Sequence, residues 1–486
     1  MIRARTTGGR LVGEWDTGIA VFRGIPYAEP PVGELRWRPP RPAAGWDGER
    51  RAYDFGPAPL QPQPPRDSIM YHTNFADRRA LVMSEDCLYL NVWTPDPAGR
   101  GLPVMVWIHG GGNRYGHGGL DLHDGRALAR RGLVVVTLNH RLGALGFLAH
   151  PELAAEDDLG ASGNYGLLDM VAALTWVREN IAAFGGDPDR VTLAGNSAGA
   201  AHICHLMASV AARPLFRAAV GQSASGIGRA EGPLPDQGAA QKQGLCWAGE
   251  FGDRDIAGLR RTSGVELVLK GHFGPVVDGR LLTEPTDDVF ASGRQHAVPL
   301  LVGTNLDEGS VYTSLDALRR LPVEPGSDEV YPVRDAGQAR RTVRQFTGES
   351  RFTYPVWRWA TAHRASARTW MYRFTRTPPL PPGLDLAAPP DGLPGYGVHH
   401  TAELPYVLDN LDQRPWPWSE LDRELARTMA DAWARFVRTG DPNGGALPVW
   451  PVFTGPEVMF FGDTVEAGVF DRLEAMKLLA RTARPL

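Results

Sequence analysis

The stretch V-T-L-A-G-N-S-A-G-A-A-H (residues 191–202) passes from a short apolar run, through a serine fenced by glycines, into an alanine-rich segment. Its reading turns on whether Ser197 is a nucleophile or only a small residue in a turn. The G-x-S-x-G pattern alone is weak in a chain with 57 Gly among 486 residues, so its surroundings must decide. R-V-T-L-A-G (190–195) reads as a buried strand, and A-G-A-A-H-I-C-H-L-M-A-S (198–209) begins a helix directly after the serine. In a strand–turn–helix of this kind Gly195 and Gly199 permit the crowded turn. The serine hydroxyl then stands above the sheet, facing the N–H groups and positive dipole end of the helix.

The same alternation continues outward. P-V-M-V-W-I-H-G-G (103–111), L-V-V-V-T-L-N (133–139), P-L-L-V-G-T-N (299–305) and T-W-M-Y-R-F-T (369–375) read as buried strands. Apolar residues at Leu167, Leu168, Val171, Leu174, Val177 and Ile181 have helical spacing, and G-G-D-P (185–188) stops that helix. Residues 424–440 form a second helix, stopped at Gly440. Short continuous apolar strands alternating with helices predict a mostly parallel α/β sheet covered on both faces. Segments 30–42, 55–66 and 377–397 are rich in Pro with Arg or Gly and read as surface loops. No repeat or low-complexity linker separates domains, so residues 1–486 are expected to form one domain.

Composition narrows the partners. A formal charge of −4 and 22% charged residues carry no basic footprint for nucleic acid and no polybasic membrane patch. The positive charge is nearly all Arg, with Lys only at Lys242, Lys270 and Lys477, and is given no functional weight. The start has no apolar stretch of signal-peptide type, and the longest apolar runs are far short of a span, so a cytoplasmic location is expected. Cys87, Cys204 and Cys246 are an odd number in a long chain and predict no disulfide framework. No Cys/His spacing suggests a metal site.

V-W-I-H-G-G-G-N (106–113) places three glycines after a buried strand, where bare N–H groups can approach a substrate oxygen. Further along, L-D-E-G-S offers Asp307 or Glu308 at a strand end, and G-Y-G-V-H-H-T-A-E-L-P-Y offers His399 or His400 in a loop after the last predicted strand. The order serine, acid, histidine fits a triad; the residues themselves do not choose within either pair. His363, in a predicted surface helix, and His202 and His205, on the helix after the serine, are weaker candidates.

These segments resemble the type B carboxylesterases, which have the α/β-hydrolase fold with helical insertions forming a gorge over the site. The resemblance is carried also by F-R-G-I-P-Y-A-E-P-P-V-G-E-L-R-W (22–37), S-E-D-C-L-Y-L-N-V-W-T-P (84–95), L-N-H-R-L-G-A-L-G-F-L (138–148) and R-T-G-D-P-N (438–443). It implies Ser197 as nucleophile, Glu308 as acid and His400 as base, because the family histidine stands three residues before a glutamate, here Glu403. It implies Gly111, Gly112 and Ala198 as oxyanion-hole donors, a structural role for Arg141 and Asp169, and no cofactor or metal. The expected partner is a small to medium, mostly neutral carboxylic ester, cleaved through an acyl-enzyme by a monomer or weak homodimer. The sequence departs from the family pattern at Asn196, where an acidic residue is usual, and at Asn113, where an aromatic is common. Asp77 stands where cholinesterases carry the tryptophan that holds choline, which argues against that activity. Three alternatives stay open: carbamate or amide hydrolysis, transacylation, and a non-catalytic binding module of the kind the family also contains.

Overall fold

The computed structural model describes residues 1–230, 232–252 and 254–482. A 13-stranded sheet runs through the molecule. Its main path uses β1 (Ile2–Thr6), β2 (Gly9–Asp16), β3 (Ile19–Pro26), β4 (Tyr89–Thr94), β5 (Leu102–Ile108), β6 (Val134–Leu138), β7 (Gly186–Asn196), β8 (Ala218–Gln222), β9 (Leu300–Asn305), β10 (Thr369–Phe374), β11 (Glu457–Phe461) and β12 (Val465–Val469). The spatial order is β1-β2-β3-β4-β6-β5-β7-β8-β9-β10-β11-β12. Strands from β6 to β11 pair in parallel, and the two ends are antiparallel.

The period of two along each central strand divides the core. Val104, Val106 and Ile108 face one layer with Leu193 and Val302, while Met105 and Trp107 face the other with Ala194 and Leu301. The first layer is covered by helix Tyr165–Asn180, through Leu167, Met170, Leu174 and Val177, and by helix Ala198–Ala208, through Ile203 and Leu206. The second is covered by helix Glu420–Thr439, through Leu425, Met429, Trp433 and Phe436. That helix starts four residues before the predicted 424, because Ser419 and Asp422 form a capping box ahead of the first apolar turn. It ends at Gly440, φ 76°, as expected.

Arg141 and Asp169 form a buried bidentate pair, Nε to Oδ2 2.9 Å and Nη2 to Oδ1 2.7 Å. Asp169 also accepts the Arg141 backbone N–H at 3.0 Å. Every charged atom of the carboxylate is therefore spoken for, which is the arrangement a buried ion pair needs.

The structure corrects several expectations. The Pro- and Arg-rich segments are not all surface: Trp37 is buried and donates its indole N–H to Ala144 O at 2.9 Å, and Gln61 is buried against Gly116, whose N–H it accepts at 2.7 Å. Asp391, in the 377–397 segment, is buried under a double hydrogen bond from Arg344. Composition signals irregular backbone correctly, but a single large or paired side chain decides burial. His363 is likewise buried, with Nε2 2.7 Å from Val298 O. The loop carrying His399 and His400 is followed by two further strands, β11 and β12. β11 is buried at Val458, Met459 and Phe461 but spans only five residues, and the largely exposed β12 carries no buried-strand signature. Cys204 and Cys87 are buried and free, and Cys246 is exposed and free. No helix among the described residues is long and apolar enough to cross a membrane.

Candidate active site

The carboxyl ends of β5, β7, β8 and β9 lie in that order along one edge of the parallel sheet, where open α/β sheets place their ligands. β7 ends at Asn196, and Ser197 takes φ 52°, ψ −128°, before helix Ala198–Ala208 begins. A serine pays strain for that backbone, of order 1–3 kcal/mol, and holds it only because the surroundings fix it. Ser197 N–H donates to Gln222 O of β8 at 2.7 Å. A Cβ at Gly199 would run into Ile108 O, so only glycine lets the helix start this close to β5.

Three elements converge on the serine. Ser197 Oγ lies 2.9 Å from His400 Nε2, and His400 Nδ1 lies 2.5 Å from Glu308 Oε2. The second oxygen of Glu308 accepts the backbone N–H of Asn305, the last residue of β9, at 2.7 Å. Glu308 and His400 are both buried, and the imidazole ring packs on Phe352 (centroids 4.4 Å) and Tyr312 (5.4 Å). Within each doublet the structure separates the neighbours. Asp307 pairs with the other loop, accepting Val398 N–H at 2.8 Å, and does not reach the histidine relay. His399 turns away, its Nδ1 3.4 Å from Gly397 O, and burial lowers its pKa to about 4.

The glycine loop after β5 leans against the serine: a Cβ on Gly110 would sit 2.9 Å from Cβ of Ser197. Two side chains hold this loop. Asn196 Oδ1 accepts Gly110 N–H at 3.1 Å, and His109 Nδ1 lies 2.8 Å from Gly110 O. Burial pushes His109 down to about 4, so its ring is neutral near pH 7 and its Nδ1–H donates to that carbonyl. With the Gly110 and Ser197 amides occupied, the next N–H groups along the two segments are those of Gly111, Gly112 and Ala198. Asn196 thus has a role its sequence position did not reveal: its amide oxygen fixes the loop without placing a charge beside the serine. Asn113 holds a left-handed backbone, φ 61°, which asparagine tolerates better than an aromatic residue.

Glu403, noted in the sequence only as a marker for His400, forms a layer beneath the relay. It is fully buried, accepting Asn305 Nδ2 at 2.5 Å and Gln222 Nε2 at 3.1 Å. Burial, reinforced by the nearby Glu308 charge, raises its pKa to about 7. A carboxyl raised from 4.5 holds its proton in the folded state while the unfolded chain has lost it. Stability therefore falls as pH rises from about 4.5 to about 7. Glu403→Gln removes that ionisation, and the Gln222 and Asn305 amides, each with an unpartnered oxygen, can turn to accept the new N–H. We expect the variant's Tm relative to wild type to rise between pH 5 and pH 8, by on the order of several degrees, in thermal melts; equal pH profiles for the two proteins would contradict this.

A Ser-His-Glu relay above the carboxyl ends of a mostly parallel, doubly covered sheet defines an α/β-hydrolase fold. The chain belongs to the carboxylesterase family, whose pattern matches residues 3–331 and 327–477; its class is carboxylic ester hydrolase. It is 37% identical to the fumonisin B1 esterase of Sphingopyxis macrogoltabida, over 96% of this chain and 89% of that one. It is 34% identical to the para-nitrobenzyl esterase of Bacillus subtilis (strain 168), over 92% of each. A solved PNB esterase structure superimposes with a TM-score of 0.83 at 31% identity, covering 98% of this chain and 99% of the other. A carboxylesterase from Geobacillus stearothermophilus superimposes with 0.81 at 32% identity, with the same coverage.

Proposed function

We propose that the protein hydrolyses small to medium carboxylic esters through an acyl-enzyme on Ser197. The observation that carries this reading is the continuous relay from Ser197 Oγ through the His400 ring to Glu308, with links of 2.9 and 2.5 Å. Glu308, anchored by Asn305 N–H, accepts a hydrogen bond from His400 Nδ1–H, which fixes the tautomer that leaves Nε2 free to take the serine proton. As Oγ attacks the ester carbonyl, the developing oxyanion meets the N–H groups of Gly111, Gly112 and Ala198. The imidazolium gives its proton to the leaving alcohol, and water, activated by the same ring, releases the acid. The likeness to esterases named for fumonisin B1 and for para-nitrobenzyl esters supports ester cleavage over a wholly binding role.

The test is rapid mixing with p-nitrophenyl butyrate. We expect a burst of one p-nitrophenolate per chain before steady turnover wherever deacylation is the slower step, and a single fluorophosphonate adduct, on Ser197, that abolishes turnover. Turnover that continues in fully labelled protein would rule the mechanism out.

A further inference from the structure

Glu308 and His400 stand 92 residues apart in the chain and arrive on unlike supports. Glu308 opens the turn Glu308–Val311 directly after β9. His400 ends a long loop that leaves β10 at Phe374 and forms no helix or strand on the way. Gly392 and Gly397 in that loop take left-handed backbone, φ 70° and 57°. A run of this kind does not keep its own shape. It must be held from outside for His400 Nδ1 to stay 2.5 Å from Glu308 Oε2.

The near hold is at Val398, whose N–H donates to Asp307 Oδ2 at 2.8 Å and whose carbonyl accepts Asp307 N–H at 2.9 Å. The far hold is at Asp391, which is fully buried. Arg344 donates from Nε to Asp391 Oδ2 at 2.6 Å and from Nη2 to Oδ1 at 2.8 Å. Leu393 N–H adds a bond to Oδ1 at 2.9 Å, and Arg340 Nη1 donates to the Asp391 carbonyl at 2.5 Å.

Both holds return to the body that carries Glu308. Arg344 and Arg340 lie on helix Ala336–Gly348, and the last turn of that helix packs on the acid's turn. A Cβ on Gly309 would run into Arg344 O, and one on Gly348 would sit 3.3 Å from Glu308 Cβ. The residue whose carbonyl abuts Gly309 is thus the one whose side chain grips Asp391. A buried ion pair is weak evidence for stability, but the two parallel bonds of a guanidinium and a carboxylate fix both distance and direction.

We infer that Arg344 and Asp391 form a positioning clamp for His400, tying the histidine loop to the helix that backs Glu308 so that the two halves of the relay move as one body. The pair touches no reacting atom and acts only through the loop. The inference rests on the proposed Ser197–His400–Glu308 relay.

The experiment measures p-nitrophenyl butyrate turnover per active site, with sites counted by fluorophosphonate adduct on Ser197. In Asp391→Asn and Arg344→Gln, kcat per counted site falls about 10- to 100-fold, the loss that a small misplacement of a reacting group causes. KM stays within a few-fold, labelling of Ser197 slows in parallel, and the downfield proton resonance of the His400 Nδ1–H bond to Glu308 weakens. Arg344→Lys, which keeps the charge without the fork, loses less. As a control, Arg260→Gln cuts another bidentate pair, with Glu156 at 2.8 and 2.6 Å, and is expected to lower Tm while kcat per site stays at the wild-type level. Where the neutral variants do not fold, Arg344→Lys is read alone by the same criteria. Wild-type kcat per site with an unchanged proton resonance, or a loss confined to KM or Tm, overturns the clamp and leaves the relay standing. A wild type that forms no adduct on Ser197 and turns over no ester overturns the relay and the clamp with it.

Discussion

Ser197→Ala is expected to lower kcat for p-nitrophenyl butyrate by at least about 10⁴-fold while the protein stays folded. The substitution removes the attacking oxygen but leaves His400, Glu308 and the amides of Gly111, Gly112 and Ala198 in place. Residual catalysis from binding and oxyanion stabilisation therefore survives, about 10³–10⁴ over water, without an acyl-enzyme. Circular dichroism and thermal melts separate loss of chemistry from loss of fold. Ser197 offers a second control because its backbone lies at φ 52°, ψ −128°, where a Cβ is strained. Ser197→Gly relieves that strain, and we expect it to be equally inactive yet more stable than Ser197→Ala by about 1 kcal/mol. An inactive protein that gains stability on losing its serine identifies a turn held for chemistry. Activity within tenfold of wild type in folded Ser197→Ala would contradict the mechanism.

The parts of this site that were readable in the sequence are those in which one short segment builds one feature. The apolar run 190–195 has to stop at a glycine, and 198–209 has to begin a helix, so the turn at Ser197 follows from local chemistry alone. The same holds for 106–113. What local pattern could not supply was the choice between adjacent residues. Asp307 and Glu308 are both carboxylates at the end of β9, and only the pairing of Asp307 with Val398 N–H, across two loops distant in sequence, sends Glu308 to the histidine. The resemblance to the carboxylesterases pointed to Glu308 and His400, and in the structure these two line up with Ser197 Oγ while Asp307 and His399 pair elsewhere. The support around the relay was less visible. Phe352 reaches the His400 ring from a separate helical segment, and Gln222 and Asn305 meet Glu403 from the ends of β8 and β9. No periodicity records such meetings, since each depends on strand order. Trp37 fails for the opposite reason: its Pro-rich surroundings read as surface, while its indole found a carbonyl at Ala144.

Glu308→Gln is expected to lower kcat about 10⁴-fold, the loss that an acid-to-amide change causes in a serine protease triad, with little effect on folding. The structure supplies the reason at atomic level. Wild-type Glu308 is an acceptor at both oxygens, taking Asn305 N–H on Oε1 and His400 Nδ1 on Oε2. A glutamine in the same rotamer has one acceptor and one donor. Asn305 N–H is fixed by the end of β9 and needs the acceptor, which turns the glutamine NH₂ toward His400 Nδ1. That ring nitrogen must then accept, so its proton moves to Nε2, and Nε2 donates to Ser197 Oγ instead of drawing its proton away. The imidazolium of the transition state loses its carboxylate partner in the same step. Because the change acts on tautomer and charge and leaves the rest of the site intact, kcat should fall while KM stays within a few-fold. Fluorophosphonate labelling of Ser197 should slow in parallel. Glu308→Asp keeps the charge but shortens the reach and should fall between the two, so the order wild type, Asp, Gln reports an electrostatic and tautomeric role. Equal losses in both variants, or a loss confined to KM, would mean that Glu308 merely supports the loop.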